Sequence, residues 1–187
     1  MIILCSQDIE VFDTLKDVNR VAFIGNAKDM YEDKSGLEKW RDFFRSRGKE
    51  LDDVDLRDFN AESILEKLTQ YDLMYFAGGN AFVLLEAIKE SGLDAVLGKI
   101  LAAGVIYLGQ SAGSVVMGKS IYYLTEMDDP SFAKKLTDYS GLGYVDCVIV
   151  PHADNPKYAG AVEAIRRMHS GKVNLKFLDE KEYIVIE

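Results

Sequence analysis

The sequence predicts an α/β fold, a mostly parallel sheet with helices on both faces. Three observations carry that expectation. Apolar, β-prone runs alternate with stretches of helical periodicity, as a sheet built from crossover connections requires. One run, Val105–Leu108, leads directly into Gly109-Gln110-Ser111-Ala112-Gly113 and then into Ser114–Met117, so strand, tight turn and helix follow one another. Two further runs, Asp72–Ala77 and Tyr144–Val150, lead into unusual loops, Gly78-Gly79-Asn80 and Pro151-His152. In such sheets function gathers outside the carboxyl ends of the strands.

The elements follow in order. Ile2–Cys5 reads as the first strand, with Ile9, Phe12 and Leu15 at helical spacing after it. Val21–Gly25 is a second buried strand. A helix is expected over Lys34–Arg47, with Leu37, Trp40, Phe43 and Phe44 on one face and Gly48 as its stop. Glu50–Leu56 reads as a half-exposed strand and Ala61–Thr69 as a short amphipathic helix. Helices are expected over Ala81–Ser91, with Asn80 as N-cap, and over Asp94–Ala103. Beyond the serine turn, Ser131–Thr137 is read as helical, Tyr144–Val150 as a sixth strand and Lys157–His169 as a helix ended by Gly171. Leu175–Leu178 and Tyr183–Ile186 close the chain as strands.

Composition bounds the function. The 187 residues suit one domain over residues 1–187, with 48% hydrophobic and 28% charged residues. A net charge of −9 and the lack of a Lys/Arg stripe argue against nucleic acid as partner. No apolar run approaches a membrane span, and Met1–Glu10 lacks the pattern of a signal peptide, so a cytoplasmic protein without membrane association is expected. Cys5 and Cys147 lie in apolar runs and are expected as reduced thiols. Two cysteines and two histidines show no zinc spacing, so neither metal nor cofactor is expected.

The chemistry points to Ser111. Gly109-Gln110-Ser111-Ala112-Gly113 matches G-x-S-x-G, the nucleophile elbow. A serine hydroxyl attacks a carbonyl only where it projects from the backbone within reach of a base. A sharp turn achieves this but crowds its neighbours, which are here glycine and alanine. Small residues also serve plain helix–sheet packing; the strand before and the helix after favour the elbow. His152 and His169 are the only histidines. His169 falls in the last turn of a helix, where a cation is mildly favourable. His152 follows a buried strand and Pro151, the better setting for a base. Glu126, Asp128, Asp129, Asp154, Asp179 and Glu180 are the candidates to orient the imidazole, and spacing does not choose among them. Gly78-Gly79-Asn80 lacks the phosphate-loop signatures; its glycines suit backbone N–H groups that approach a substrate.

Taken together, Phe76–Asn80, Gly109–Gly113, the segment around Glu126 and Pro151-His152 resemble the peptidase E (aspartyl dipeptidase) family of serine peptidases, which is related to the cyanophycinases. The resemblance covers nearly the whole chain. It implies a class I glutamine amidotransferase-like three-layer sandwich with serine in place of the amidotransferase cysteine. It implies Ser111 as nucleophile, His152 as general base, and Gly79 and Ala112 as oxyanion-hole donors. Its charge-relay acid falls on Glu126, where the family usually carries Asp, with Glu180 near the closing strands as the second position; Glu126 is preferred. The implied activity is hydrolysis of small peptides, with dipeptides bearing N-terminal aspartate foremost, by a monomer or homodimer. A cyanophycinase-like isopeptide hydrolase and a catalytically silent binding protein are the alternatives. The chain departs from the family's Gly-Gly-Gly-Asn-Thr loop at Ala77 and Ala81. Arg166 and Arg167 lie later on their helix than the family's substrate-binding arginine is expected.

Overall fold

The computed structural model describes residues 1–187. Its strands are β1 (Ile2–Cys5), β2 (Arg20–Ile24), β3 (Glu50–Asp53), β4 (Leu73–Phe76), β5 (Ile106–Gln110), β6 (Val148–Val150), β7 (Leu175–Phe177) and β8 (Tyr183–Ile186). Its helices are α1 (Ser35–Arg45), α2 (Ala61–Leu68), α3 (Ala81–Ser91), α4 (Leu93–Ala102), α5 (Ala112–Val115) and α6 (Ala159–His169). The main sheet runs β3-β2-β4-β5-β1-β8. Its first five strands are mutually parallel, and β8 pairs antiparallel with β1, Ile2 opposite Ile186.

The central strands bury both faces, which explains their unbroken apolar runs. Alternate residues feed two cores. Leu4, Ile24, Phe76 and Tyr107 face a large core formed with α2, α3, α4 and α5. Ile3, Phe23, Tyr75 and Leu108 face a smaller one closed by Leu37, Trp40 and Phe44 of α1 and by Ile9 and Phe12. The two layers of helix around one sheet make three layers.

Local sequence chemistry sets the element ends. Asn60 caps α2 by accepting the Glu62 and Ser63 N–H groups, while Ser63 Oγ accepts the Asn60 N–H in return. Asn80 caps α3 through the N–H groups of Phe82 and Val83. Gly92, with φ at 70°, ends α3 and lets α4 start at a new angle.

Four expectations are corrected. The region of Ile9–Leu15 forms a single 3₁₀ turn, Glu10–Thr14, although Ile9 and Phe12 do enter the core. Ser131–Thr137 forms only a 3₁₀ turn at Pro130–Phe132, because the Glu86 carboxylate on α3 takes the N–H of Lys135 and shares that of Leu136 with Ala133 O. Tyr144–Val150 contributes a strand only from Val148. Tyr144 and Val145 donate to the Met117 carbonyl instead, and β6 joins β7 in a separate two-stranded parallel sheet, not the main one. The helix after Ser111 is short because Leu142, Gly143 and Tyr144 take the carbonyls of Val116, Gly118 and Met117, which a further helical turn would have used. No helix is long and apolar enough to cross a membrane.

Candidate active site

Ser111 sits at the junction of β5 and α5 with φ 48° and ψ −107°, a conformation that L-residues rarely adopt. The surroundings enforce it. The Ser111 N–H donates to Cys5 O (3.0 Å), and Ser114 Oγ donates to Cys5 O (2.8 Å) and Gly109 O (2.9 Å). Tyr107, stacked on Phe76, donates its hydroxyl to Gly113 O at 2.6 Å. The turn is too tight for side chains beside it: a Cβ on Gly109 would stand 2.5 Å from Gly113 O, and one on Gly113 would stand 2.5 Å from Phe76 O. Gln110, the variable residue before the serine, is buried and ties three segments together. Its Oε1 accepts the Tyr75 hydroxyl (2.8 Å) and the Gly78 N–H (3.1 Å), and its Nε2 donates to Gln7 O (2.7 Å).

His152 lies at the end of β6, only 5% exposed, with φ 62°. The Ser111 hydroxyl is 2.8 Å from His152 Nε2, and His152 Nδ1 is 2.7 Å from Glu180 Oε1. With the proton on Nδ1, the imidazole donates to the Glu180 carboxylate and presents a free lone pair to the serine hydroxyl. Two further contacts hold His152 in place. The His152 N–H donates to Ser6 Oγ (2.7 Å), whose own hydroxyl donates to Leu178 O (3.2 Å). Tyr158 stacks on the imidazole with centroids 4.5 Å apart and planes 18° apart. Glu180 is held in turn: Asn155 Nδ2 donates to its Oε1 (3.0 Å), and its own N–H donates to Asp154 Oδ1 (2.8 Å).

The carboxylate at His152 is thus Glu180 and not the preferred Glu126. Glu126 is exposed on the turn after Leu124 and does not line the cleft. The reason is topological. Pairing β8 with β1 brings the Asp179–Glu182 turn back over the end of β1, where Glu180 O also accepts the N–H groups of Gln7 and Asp8. Asp154 accepts the backbone N–H of Glu180 rather than a proton of the imidazole.

Gly79 closes the site from the end of β4. Asn80 donates its N–H to Ala27 O (2.8 Å), which brings the chain so close that a Cβ on Gly79 would collide with that carbonyl. The N–H groups of Gly79 and Ala112 have no acceptor within the protein. Gly79, Ser111 and His152 line one open cleft of about 550 Å³. Around it stand Lys28, Lys39 and Lys157, none in an ion pair; their ammonium groups lie near the rings of Tyr31, Trp40 and Tyr158. Asp128 is the cleft's single carboxylate. Its Oδ2 accepts the Ala81 N–H (2.8 Å), and desolvation pushes its carboxyl up to about 6 against that bond. Arg166 and Arg167 do not line the cleft; Arg166 lies 3.9 Å over the Phe177 ring and 3.8 Å from Glu163. Cys5, buried beneath the site, is unpaired, and burial pushes its thiol up to about 12, a poor nucleophile. No group of three or more His, Cys, Asp or Glu side chains is placed to hold a metal ion.

Sequence reasoning did not single out Ser6, Gln110, Asn155, Tyr158 or the three lysines. Gln110 lay inside the motif and Asn155 and Tyr158 just after His152, so proximity was a usable signal for those three. Ser6 and the lysines carried none, since only the fold brings them to the serine.

Comparison with known proteins gives a consistent picture. Residues 5–187 match the model of peptidase family S51. An uncharacterized peptidase of Listeria monocytogenes is 31% identical over 89% of this chain and 81% of its own. A Drosophila melanogaster protein described as a probable alpha-aspartyl dipeptidase is 30% identical over 65% of this chain and 49% of its own. Among solved structures, a candidate peptidase E from Listeria monocytogenes superposes with a TM-score of 0.89 at 28% identity, over 99% of this chain and 93% of that one.

Proposed function

The chain belongs to peptidase family S51 and is a serine-type peptidase, and from that premise we propose that it hydrolyses short peptides carrying an acidic residue, with N-terminal aspartyl dipeptides foremost, through Ser111, His152 and Glu180. The observation that carries the reading is the unbroken series from Ser111 Oγ to His152 Nε2 and from His152 Nδ1 to Glu180 Oε1, with 2.8 and 2.7 Å separations.

In the proposed reaction, Ser111 Oγ attacks the scissile carbonyl carbon while His152 Nε2 takes the hydroxyl proton. Glu180 holds the imidazole in the tautomer that can accept it and stabilises the imidazolium. The carbonyl oxygen becomes an oxyanion and takes hydrogen bonds from the Gly79 and Ala112 N–H groups, whose lack of internal acceptors suits them to that task. His152 gives its proton to the leaving amine as the C–N bond breaks. Water then attacks the acyl-enzyme, passing a proton to His152, and the acid is released as Ser111 regains its hydrogen.

The substrate class rests on charge. A chain of net charge −9 that gathers three unpaired lysines around one cleft places a local positive field there. That field favours a substrate with a carboxylate side chain. In this reading the lysines meet the substrate carboxylate, and Arg166 and Arg167, which do not line the cleft, take no part.

The test is hydrolysis of Asp-Leu, Asn-Leu, Leu-Leu and β-Asp-Leu by wild type and Ser111→Ala. The proposal expects Asp-Leu to be cleaved best and the activity to vanish in the variant. Full activity in Ser111→Ala would end it. Serine-dependent cleavage of Leu-Leu in preference to Asp-Leu would retain the chemistry and remove the acidic preference.

A further inference from the structure

Asp128 is chemically out of place. The cleft around Ser111 is otherwise cationic, yet it holds this one carboxylate, with no lysine or arginine in ion-pair distance. The side chain is held by one oxygen only. Oδ2 accepts the N–H of Ala81, the first residue of α3, while Oδ1 makes no hydrogen bond within the protein. Its position is fixed from both sides: the Asp128 N–H donates to Leu124 O (2.9 Å), and Asn80 Nδ2 donates to the neighbouring Asp129 O (2.9 Å). Most of its surroundings are protein, and desolvation of an unpaired carboxylate is costly. A group kept charged under these conditions calls for a cation that is absent from the chain itself.

The geometry gives that cation a place. Ala81 lies two residues beyond Gly79, which bounds the distance between their nitrogens at roughly 7 Å. In a peptide whose scissile carbonyl oxygen lies at Gly79, the nitrogen of the same residue is two bonds from the carbonyl carbon. It falls on the scale of the gap to Asp128. When that residue is the first of the peptide, its nitrogen is an ammonium group at neutral pH.

We propose that Asp128 is the residue that binds the free α-ammonium group of the N-terminal residue in the substrate class proposed above. This rests on Ser111 being the nucleophile. It complements the lysines. Lys28, Lys39 and Lys157 offer positive charge to a side-chain carboxylate, Asp128 offers negative charge to the amine, and an N-terminal acidic residue carries both. An internal residue has a neutral amide in place of the ammonium and leaves Asp128 unpaired.

The test uses two phosphonate diphenyl esters that mimic an N-terminal aspartyl residue, one with a free α-amine and one N-acetylated. In each, Ser111 Oγ forms a bond to phosphorus, phenoxide departs, and the serine proton leaves with it as phenol. The readout is the ratio of labelling rates at Ser111, followed by mass spectrometry. In wild type at pH 7, where Asp128 is mostly ionised and the amine mostly protonated, the free amine is expected to react roughly ten- to a hundredfold faster, the worth of a charge-assisted hydrogen bond. In Asp128→Asn the ratio collapses towards one. Asparagine keeps an oxygen for the Ala81 N–H, so the start of α3 is retained. A second readout needs no variant. The wild-type ratio falls as pH is lowered through about 6, where Asp128 takes up a proton. The other titratable groups of the cleft are Lys28, Tyr31, Lys39, His152, Lys157 and Tyr158. Any change in His152 as the base acts on both probes alike and cancels in the ratio. Equal labelling of wild type by both probes, or a large ratio that survives in Asp128→Asn, overturns the role of Asp128 and leaves Ser111 standing as nucleophile. Failure of both probes to label wild type removes Ser111 as nucleophile and this proposal with it.

Discussion

Ser111 and His152, whose side chains meet at 2.8 Å, are two of the three non-glycine residues in the chain with positive φ, at 48° and 62°. The backbone is therefore held in unfavourable conformations on both sides of one hydrogen bond. Strain of this kind persists only where its surroundings impose it. Here they do: Cys5 O, Tyr107 and Ser114 fix the serine turn, and Ser6 and the stacked Tyr158 fix the histidine.

The carboxylate assignment yields the first prediction. Glu180→Gln leaves the imidazole without its anionic partner and frees it to adopt the wrong tautomer. Its kcat for Asp-Leu is expected to fall on the order of 10²- to 10⁴-fold. Glu126→Gln, at an exposed position away from the cleft, is expected to change kcat by less than about twofold. Steady-state assays of the two purified variants check this, and the reverse order of effects would return the role to Glu126.

The lysines give a second. Replacing Lys28, Lys39 or Lys157 by Met is expected to raise KM for Asp-Leu by roughly three- to tenfold each, with little effect on Asn-Leu. Added salt should weaken Asp-Leu cleavage more than Asn-Leu cleavage, since screening acts on the charged pair. Equal losses for both peptides would count against charge recognition.

Asp128 links function to stability. Its folded carboxyl is raised from 3.8 to about 6, so folding favours the protonated form. The stability attached to that form is full below pH 3.8 and is lost as pH rises through about 6. The cost at neutral pH is about 3 kcal/mol by this shift. Asp128→Asn is therefore expected to raise the melting temperature at pH 8 and to leave it near wild type at pH 4. Thermal melts at the two pH values test the sign. A variant less stable than wild type at pH 8 would show that the charge is not a burden on the fold.

Ser6 gives a fourth prediction. Its buried hydroxyl bridges the His152 N–H and the Leu178 carbonyl. Ser6→Ala leaves that N–H without a partner and is expected to cost about 1–3 kcal/mol in urea unfolding. It should also lower kcat more than KM is changed, because the histidine loses a backbone anchor while the lysines are untouched.

Much of this was legible in sequence, and the exceptions share a cause. The first and last strands, Ile2–Cys5 and Tyr183–Ile186, and the helix Ala81–Ser91 were read to the residue, because each has local signals: apolar runs, and Asn80 and Gly92 at the helix ends. Ser111 and His152 were legible because the elbow motif and Pro151 lie beside them. Glu180 was less legible than Glu126 because its approach to His152 depends on β8 pairing with β1, a contact between the two ends of the chain. The same holds for Ser131–Thr137 and Tyr144–Asp146. Their composition permitted regular structure, but the Glu86 carboxylate takes the N–H groups of Lys135 and Leu136, and the Met117 carbonyl takes those of Tyr144 and Val145. Local pattern does not reveal a distant competitor for a hydrogen bond.

The most direct measurement is mass-spectrometric mapping of the protein after treatment with a small fluorophosphonate, for wild type and His152→Ala. One adduct is expected in wild type, located on Ser111, with labelling slowed on the order of a hundredfold or more when His152 is removed. An adduct on another residue, or labelling of Ser111 that is indifferent to His152, would contradict that expectation.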